Sequence, residues 1–169
     1  MKRIYICLIL LIGFFVLSGC EESDNESEAS KNMVSFNGTN YKIVGAQFEN
    51  VMSQGEVNSV PIDLYLNEDG SECLSVEVQR EDIGKQVDLT DMNSLYWITF
   101  DYAGKHYSWF RTSDMRSAYN LHSGSKASIT RMSNGKYSVS VSLSYTIGIA
   151  EKRLTAHYEG TVLNNWVDK

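Results

Sequence analysis

The 169-residue chain predicts an all-β fold, an antiparallel two-sheet β-sandwich of about eight to ten short strands, with an up-and-down β-barrel as the alternative closure. Three observations predict it. Apolar residues recur with a period of two over most of the chain beyond residue 32, as half-buried strands require. Asn-Gly and Asp-Gly pairs punctuate those runs at hairpin positions. No segment carries the apolar stripe of a long amphipathic helix, and Pro61 is the single proline.

Taken in order, the first strands fall at 33–36 and 41–48, separated by Asn37-Gly38. Val60, Ile62, Leu64 and Leu66 then share one face, answered by Leu74, Val76 and Val78 across a turn at Asp69-Gly70. That pattern turns Cys73 away from the core with Ser75 and Glu77. The stretch 95–111 is a hairpin turning at Tyr102-Ala103-Gly104. Ala103 suits positive φ poorly, so a bulged three-residue loop is expected, which sets Trp97 opposite Trp109 and Thr99 opposite Tyr107.

The clearest strand runs from Tyr137 to Ile147. Tyr137, Val139, Val141, Leu143, Tyr145 and Ile147 lie on one side, and four serines with Thr146 fill most of the other. A three-residue loop Ser133-Asn134-Gly135 sets Ile129 opposite Val139 and Ala127 opposite Val141. A two-residue turn would instead place Ile129 opposite Ser140 and send the apolar set toward water, so the first register is expected. A closing strand is expected at 154–163.

The N-terminal end carries an address. Lys2 and Arg3 precede an apolar stretch from Ile4 to Leu17, the layout of an export signal and shorter than the about 20 apolar residues of a spanning helix. The run Leu17-Ser18-Gly19-Cys20 resembles the lipobox of bacterial lipoproteins, which implies removal of residues 1–19 and acylation of Cys20, for example with palmitate. Residues 20–32 then form an acidic tether. Glu21 to Asn32 contain five acids, one base and no large apolar group, too little to fold. Such a coil reaches about 20 Å. An acidic tract after the cysteine resembles the surface-export signal of Bacteroidetes lipoproteins; a plain charged spacer is the alternative. A single all-β domain spans 33–169.

Of the 15 basic residues, Lys2 and Arg3 leave with the signal; the 13 that remain face 21 acids, a net charge of −8 with neutral histidines. Phosphate repulsion therefore disfavours a nucleic-acid partner. With Cys7 removed and Cys20 acylated, Cys73 is the one remaining thiol, so no internal bridge is expected.

Three phrases carry a family likeness: Gly84-Lys85-Gln86-Val87-Asp88-Leu89-Thr90; the run from Ser123 to Arg131 with Asn134-Gly135-Lys136-Tyr137-Ser138-Val139; and Tyr158-Glu159-Gly160-Thr161-Val162. Together they resemble small all-β lipoproteins of Bacteroidetes cell envelopes, most of unknown function, some described as lipocalin-like or calycin-like. The resemblance implies fold and an outer-membrane, surface-exposed or periplasmic location. It brings no site residues.

Chemistry-bearing motifs are sparse. His106, His122 and His157 form no His-x-His or His-Glu-x-x-His pattern, and Asn67-Glu68-Asp69-Gly70 lacks the spacing of a calcium loop, so neither metal nor other cofactor is expected beyond the lipid on Cys20. No Gly-x-Ser-x-Gly elbow or glycine-rich phosphate loop occurs, and no catalytic residue is assigned. The best functional clue is the aromatic hairpin, whose two faces are both rich in large apolar groups. Either the irregular stretch 112–122 covers one face, or that face lines a groove. The groove reading makes Trp97, Tyr107 and Trp109 a ligand platform, since rings offer broad, stiff contact. The expected function is a lipid-anchored, non-catalytic module binding a glycan, peptide or envelope protein. The alternatives are a lipocalin-like carrier of a small apolar ligand and a structural or assembly lipoprotein.

Overall fold

The structure is a computed structural model and describes residues 31–48, 59–113, 115–117 and 120–163. The export signal, Cys20 and all of the tether before residue 31 lie outside these residues. Within them the strands are β1 (Met33–Phe36), β2 (Thr39–Lys42), β3 (Gly45–Phe48), β4 (Ser59–Tyr65), β5 (Cys73–Gln79), β6 (Val87–Asp88), β7 (Tyr96–Tyr102), β8 (Lys105–Arg111), β9 (Lys126–Arg131), β10 (Tyr137–Ile147) and β11 (Ala150–Gly160). One sheet has the order β2-β1-β11-β10-β9-β6 and the other β3-β4-β5-β7-β8, with every strand pair antiparallel. The two sheets stay open as a sandwich; the barrel does not form. Among the described residues no helix is long and apolar enough to cross a membrane.

The alternation of β10 produces the register its residues demand. Val139 pairs with Ile129 and Val141 with Ala127, leaving Ser140 beside Ser128 on the outer face. Gly135 takes φ 79° and closes the three-residue loop, with the Met132 amide donating to the Lys136 carbonyl at 2.8 Å. The β4–β5 faces also match: Ile62 pairs with Val76 and Leu64 with Leu74, all fully buried, while Cys73 stays half-buried on the outer side.

Two elements differ from expectation. The run 41–48 is not one strand: it bends at Ile43-Val44 and passes from one sheet to the other, β2 pairing with β1 and β3 with β4. A strand that changes sheets makes a corner of the sandwich. The last strand begins at Ala150 rather than 154, and its ladder ends at Gly160. Leu163 then crosses to the second sheet, its amide donating to the Ala46 carbonyl and its carbonyl accepting from the Phe48 amide.

The largest correction is the β7–β8 hairpin. Its turn has two residues, Ala103 at φ 50° and Gly104 at φ 70°, so Tyr102 pairs with Lys105, Trp97 with Phe110 and Ile98 with Trp109. The expected three-residue loop would have sent Trp109 outward. Burying an indole removes about 150–250 Å² from water, worth at most about 4–6 kcal/mol at 25 cal/mol per Å². A left-handed alanine costs about 1–2 kcal/mol. Burial wins: Trp109 is fully buried, in edge contact with Tyr145 of the opposite sheet at 5.0 Å. Phe36, Phe100 and Tyr107 continue this aromatic layer between the sheets, with Phe36 5.0 Å from Phe100 and 5.1 Å from Tyr107.

Relieving the turn tests this account. Ala103→Gly keeps the Glu72 bond to the residue-103 amide and should raise stability by about 0.5–1 kcal/mol in urea unfolding. A loss of stability would show that the alanine is not strained.

Candidate functional site

A cleft of about 200 Å³ opens where β5 ends, β7 begins and β8 runs out. The register places its groups. Trp97 projects outward from β7, 39% exposed, with one ring face stacked on Phe110 at 4.6 Å and 16° between planes. Glu77, its neighbour across the β5–β7 ladder, and Gln79 stand on the same outer side. Tyr96 and Arg111 close the inner wall, and Thr112 and Ser113 the far rim. An indole wall, planar polar groups and hydroxyls thus line one concave surface.

Arg111 is the hinge of this region. It pairs with Tyr96 in the last rung of the hairpin, on the core-facing side where the apolar filling runs out. Its Nη1 donates to the Asp91 carbonyl at 2.7 Å, while its buried Nε has no hydrogen-bond partner among the described residues. Burial pushes the Tyr96 phenol pKa up, and the Arg111 charge opposes that shift. Beyond Arg111 and Tyr96 lies a second, smaller cleft of about 120 Å³ with Thr90, Arg116, Ser117 and Asn120 on its walls. The two arginines are brought together by the backbone: Arg116 bridges to Arg111, and the Ser117 amide donates to the Phe110 carbonyl at 2.8 Å. Across the cleft the loop after β6 is shaped by two carboxylates. Asp88 accepts from the Thr90 amide and hydroxyl, at 2.8 and 2.6 Å, which holds its pKa below the usual carboxylate range; Asp91 accepts from Asn93.

The three residues of the expected platform do not share a face. Trp97 lines the cleft. Tyr107 and Trp109 point between the sheets, their rings parallel at 6.2 Å, because the two-residue turn puts their parity on the core side. Of the stretch 112–122, residues 112, 113, 116, 117, 120 and 121 line the clefts instead of covering a platform. Arg111 and Arg116 were not singled out by the sequence, where no motif marks them and Asp114 stands between them.

A second polar cluster lies on the outer face of the other sheet. Ser144 Oγ donates to Glu151 at 3.1 Å and lies 3.3 Å from His122 Nδ1, while His122 Nε2 meets the Thr146 hydroxyl at 2.7 Å. A hydrolytic triad needs the acid on the histidine, to orient it and stabilise its charge; here the acid holds the serine. The cluster instead ties the end of the 112–122 stretch to β10, reinforced by the His122 amide on the Ser144 carbonyl at 2.7 Å. Buried Ser125 bonds both the amide and the carbonyl of Ser144. Among the described residues, His, Cys, Asp and Glu side chains do not gather in threes as metal ligands do.

The site and fold together define a class, an open β-sandwich with two small clefts at one end. Comparison with protein-family models, with curated proteins and with solved structures found no match.

On the outer face of the cleft-bearing sheet, Asp63 tests the balance of burial and hydrogen bonding. Burial raises its pKa, although Ser75 and Tyr65 hydrogen bonds pull it down. A carboxyl whose folded pKa lies above its unfolded one holds its proton more tightly when folded, so it disfavours the folded state once pH rises through that interval. Asp63→Asn should therefore be at least as stable as the parent at pH 7, and its advantage should vanish near pH 3, where both side chains are neutral. Urea melts at the two pH values check this; an advantage that grows on acidification would show that hydrogen bonding dominates.

Proposed function

We propose that this chain is a lipid-anchored bacterial cell-envelope protein, held at the outer membrane through Cys20, whose sandwich is a non-catalytic module that binds a glycan at the Trp97 cleft. The observation that carries the glycan reading is the exposed indole on the wall of a cleft that also presents Glu77, Gln79 and Arg111. Sugar rings pair an apolar C–H face, which stacks on an aromatic ring, with hydroxyls that need planar donors and acceptors at their edges. The acidic tether gives the module reach beyond the membrane surface, and its net negative charge leaves the attachment to the lipid.

A peptide or envelope-protein partner is the second reading, favoured by Met92 and Met115. Both are well exposed, at 83% and 60%, and both adjoin the Arg111 region through neighbouring backbone bonds. Methionine adapts to varied apolar partners, and it is enriched with Trp and Arg at protein interfaces. The carrier reading draws less support, since Trp109, Tyr145 and Phe100 fill the space between open sheets. Assembly by strand addition has three short edges, β2 and β3 with four residues each and β6 with two, and one longer edge, β8 with seven.

Two experiments test the proposal. On a glycan array followed by calorimetry, Trp97→Ala should weaken any bound oligosaccharide at least about tenfold while costing about 1 kcal/mol of stability or less. Trp109→Ala, by contrast, should cost about 3–5 kcal/mol of stability. Unchanged affinity in folded Trp97→Ala sinks the cleft. Separately, cells fed an alkyne fatty acid should label the parent protein in the membrane fraction, and Cys20→Ser should lose the label and become soluble. A labelled serine variant would remove the anchor.

A further inference from the structure

Arg111 is incompletely satisfied. A guanidinium carries five N–H donors, and here one goes to the Asp91 carbonyl while the buried Nε–H has no partner among the described residues. Leaving a buried charged donor unpaired is costly, so such groups are retained where something supplies the missing acceptor. Arg111 is also outside the ion pairs formed by described residues, which are Lys85 with Asp82, His106 with Asp101 and Arg153 with Glu151. Arg116 brings a second guanidinium to the same small cleft, with Thr90, Ser117 and Asn120 as neutral polar neighbours. Among the described residues, Asp88 is an acid bonded to that lining, and its Oδ1 accepts from the Thr90 amide and hydroxyl. Two arginines in one cleft form the donor set that planar or tetrahedral oxyanions fit best. Glu77 lies on the other side of Arg111, in the Trp97 cleft, so an anion is disfavoured there.

We infer that the cleft between Arg111 and Arg116 is an oxyanion subsite, holding a carboxylate or sulfate carried by the sugar that stacks on Trp97. The inference rests on the glycan reading and narrows it to acidic glycans. The two clefts share Tyr96 and Arg111 as their common wall, which makes them adjacent subsites of one ligand. A sugar ring on the indole side sends its charged substituent past Tyr96 to the arginines.

The test has two arms, both on the full mature chain. In the first, an array of paired neutral, uronate and sulfated oligosaccharides is probed at low and high salt. Acidic members should bind preferentially and lose affinity as salt rises. Arg116→Gln, at an exposed position, should weaken acidic ligands by about tenfold or more, the scale of a charge-assisted hydrogen bond, and leave neutral ones within about twofold. In the second arm, inorganic sulfate is titrated while the arginine Nε–H resonances are followed by NMR. The Arg111 resonance should shift saturably in the parent, and the shift should weaken in Arg116→Gln. Neutral-only binding, or equal loss of both classes in Arg116→Gln, overturns the oxyanion subsite and leaves the glycan reading in place. A silent array with a saturable sulfate shift overturns the glycan reading and keeps the subsite for another acidic ligand, such as a peptide. A silent sulfate titration overturns the subsite outright.

Discussion

The burial of Trp109 between the sheets is the interaction on which the rest of this molecule depends. It decides the register of β7 against β8, and that register decides everything outward of the core. With Trp109, Tyr107, Ile98 and Phe100 on the inner side, Trp97 and Phe110 are forced outward as a stacked pair. The last rung then falls on Tyr96 and Arg111, which brings a guanidinium to the end of the core. The left-handed Ala103 is the local cost of this arrangement, and the hydrophobic gain exceeds it several-fold. A hairpin with the bulged loop would have relaxed the turn, emptied the centre of the sandwich and left no cleft of this composition.

The same logic of continuity explains why the sandwich stays open yet well knit. A strand that changes sheets at Ile43-Val44 makes one corner, and Leu163 reinforces it by bonding across to β3. Elsewhere Arg116 bridges to Arg111 of β8, and Leu121 and His122 bond to β10. Each crossing satisfies backbone groups that an isolated edge would expose. Described residues of the 112–122 stretch lie against the ends of β8 and β10. Loops positioned by a rigid frame are where binding groups concentrate, and both clefts are built there.

How much of this was legible depends on whether a strand has one apolar face or two. The β9–β10 pairing could be read because serines mark the wet side; slipping one residue would expose Val139, Val141 and Leu143 together, so the register had a single acceptable answer. The β7–β8 pairing could not be read that way. Trp97, Ile98, Phe100, Tyr107, Trp109 and Phe110 make both faces apolar, so the choice fell to the turn, and Ala103 argued for the wrong one. The corner at Ile43-Val44 did leave a trace. Tyr41 and Ile43 bury odd positions, whereas Ala46 and Phe48 take even ones, a phase change that a single strand does not make. Arg111 and Arg116 left little trace, because what joins them is a backbone bridge in an irregular stretch, with no periodicity to signal it.

Tyr96 and Arg111 occupy a position where the packed core meets the walls of both clefts. An arginine facing the end of an apolar layer cannot be filled around by hydrocarbon alone; its donors need oxygen, and the Asp91 carbonyl supplies one. Tyr96 shields the charge from the core and is itself mostly buried, at 5% exposure. Their side chains therefore serve two ends at once, closing the sandwich and lining both clefts. Trp97 and Arg116 differ, since each meets solvent on its own side of that wall and little of the core leans on it. The fold thus divides labour along one short stretch of hairpin: inner residues fix where the clefts are, and outer residues form their solvent-facing walls.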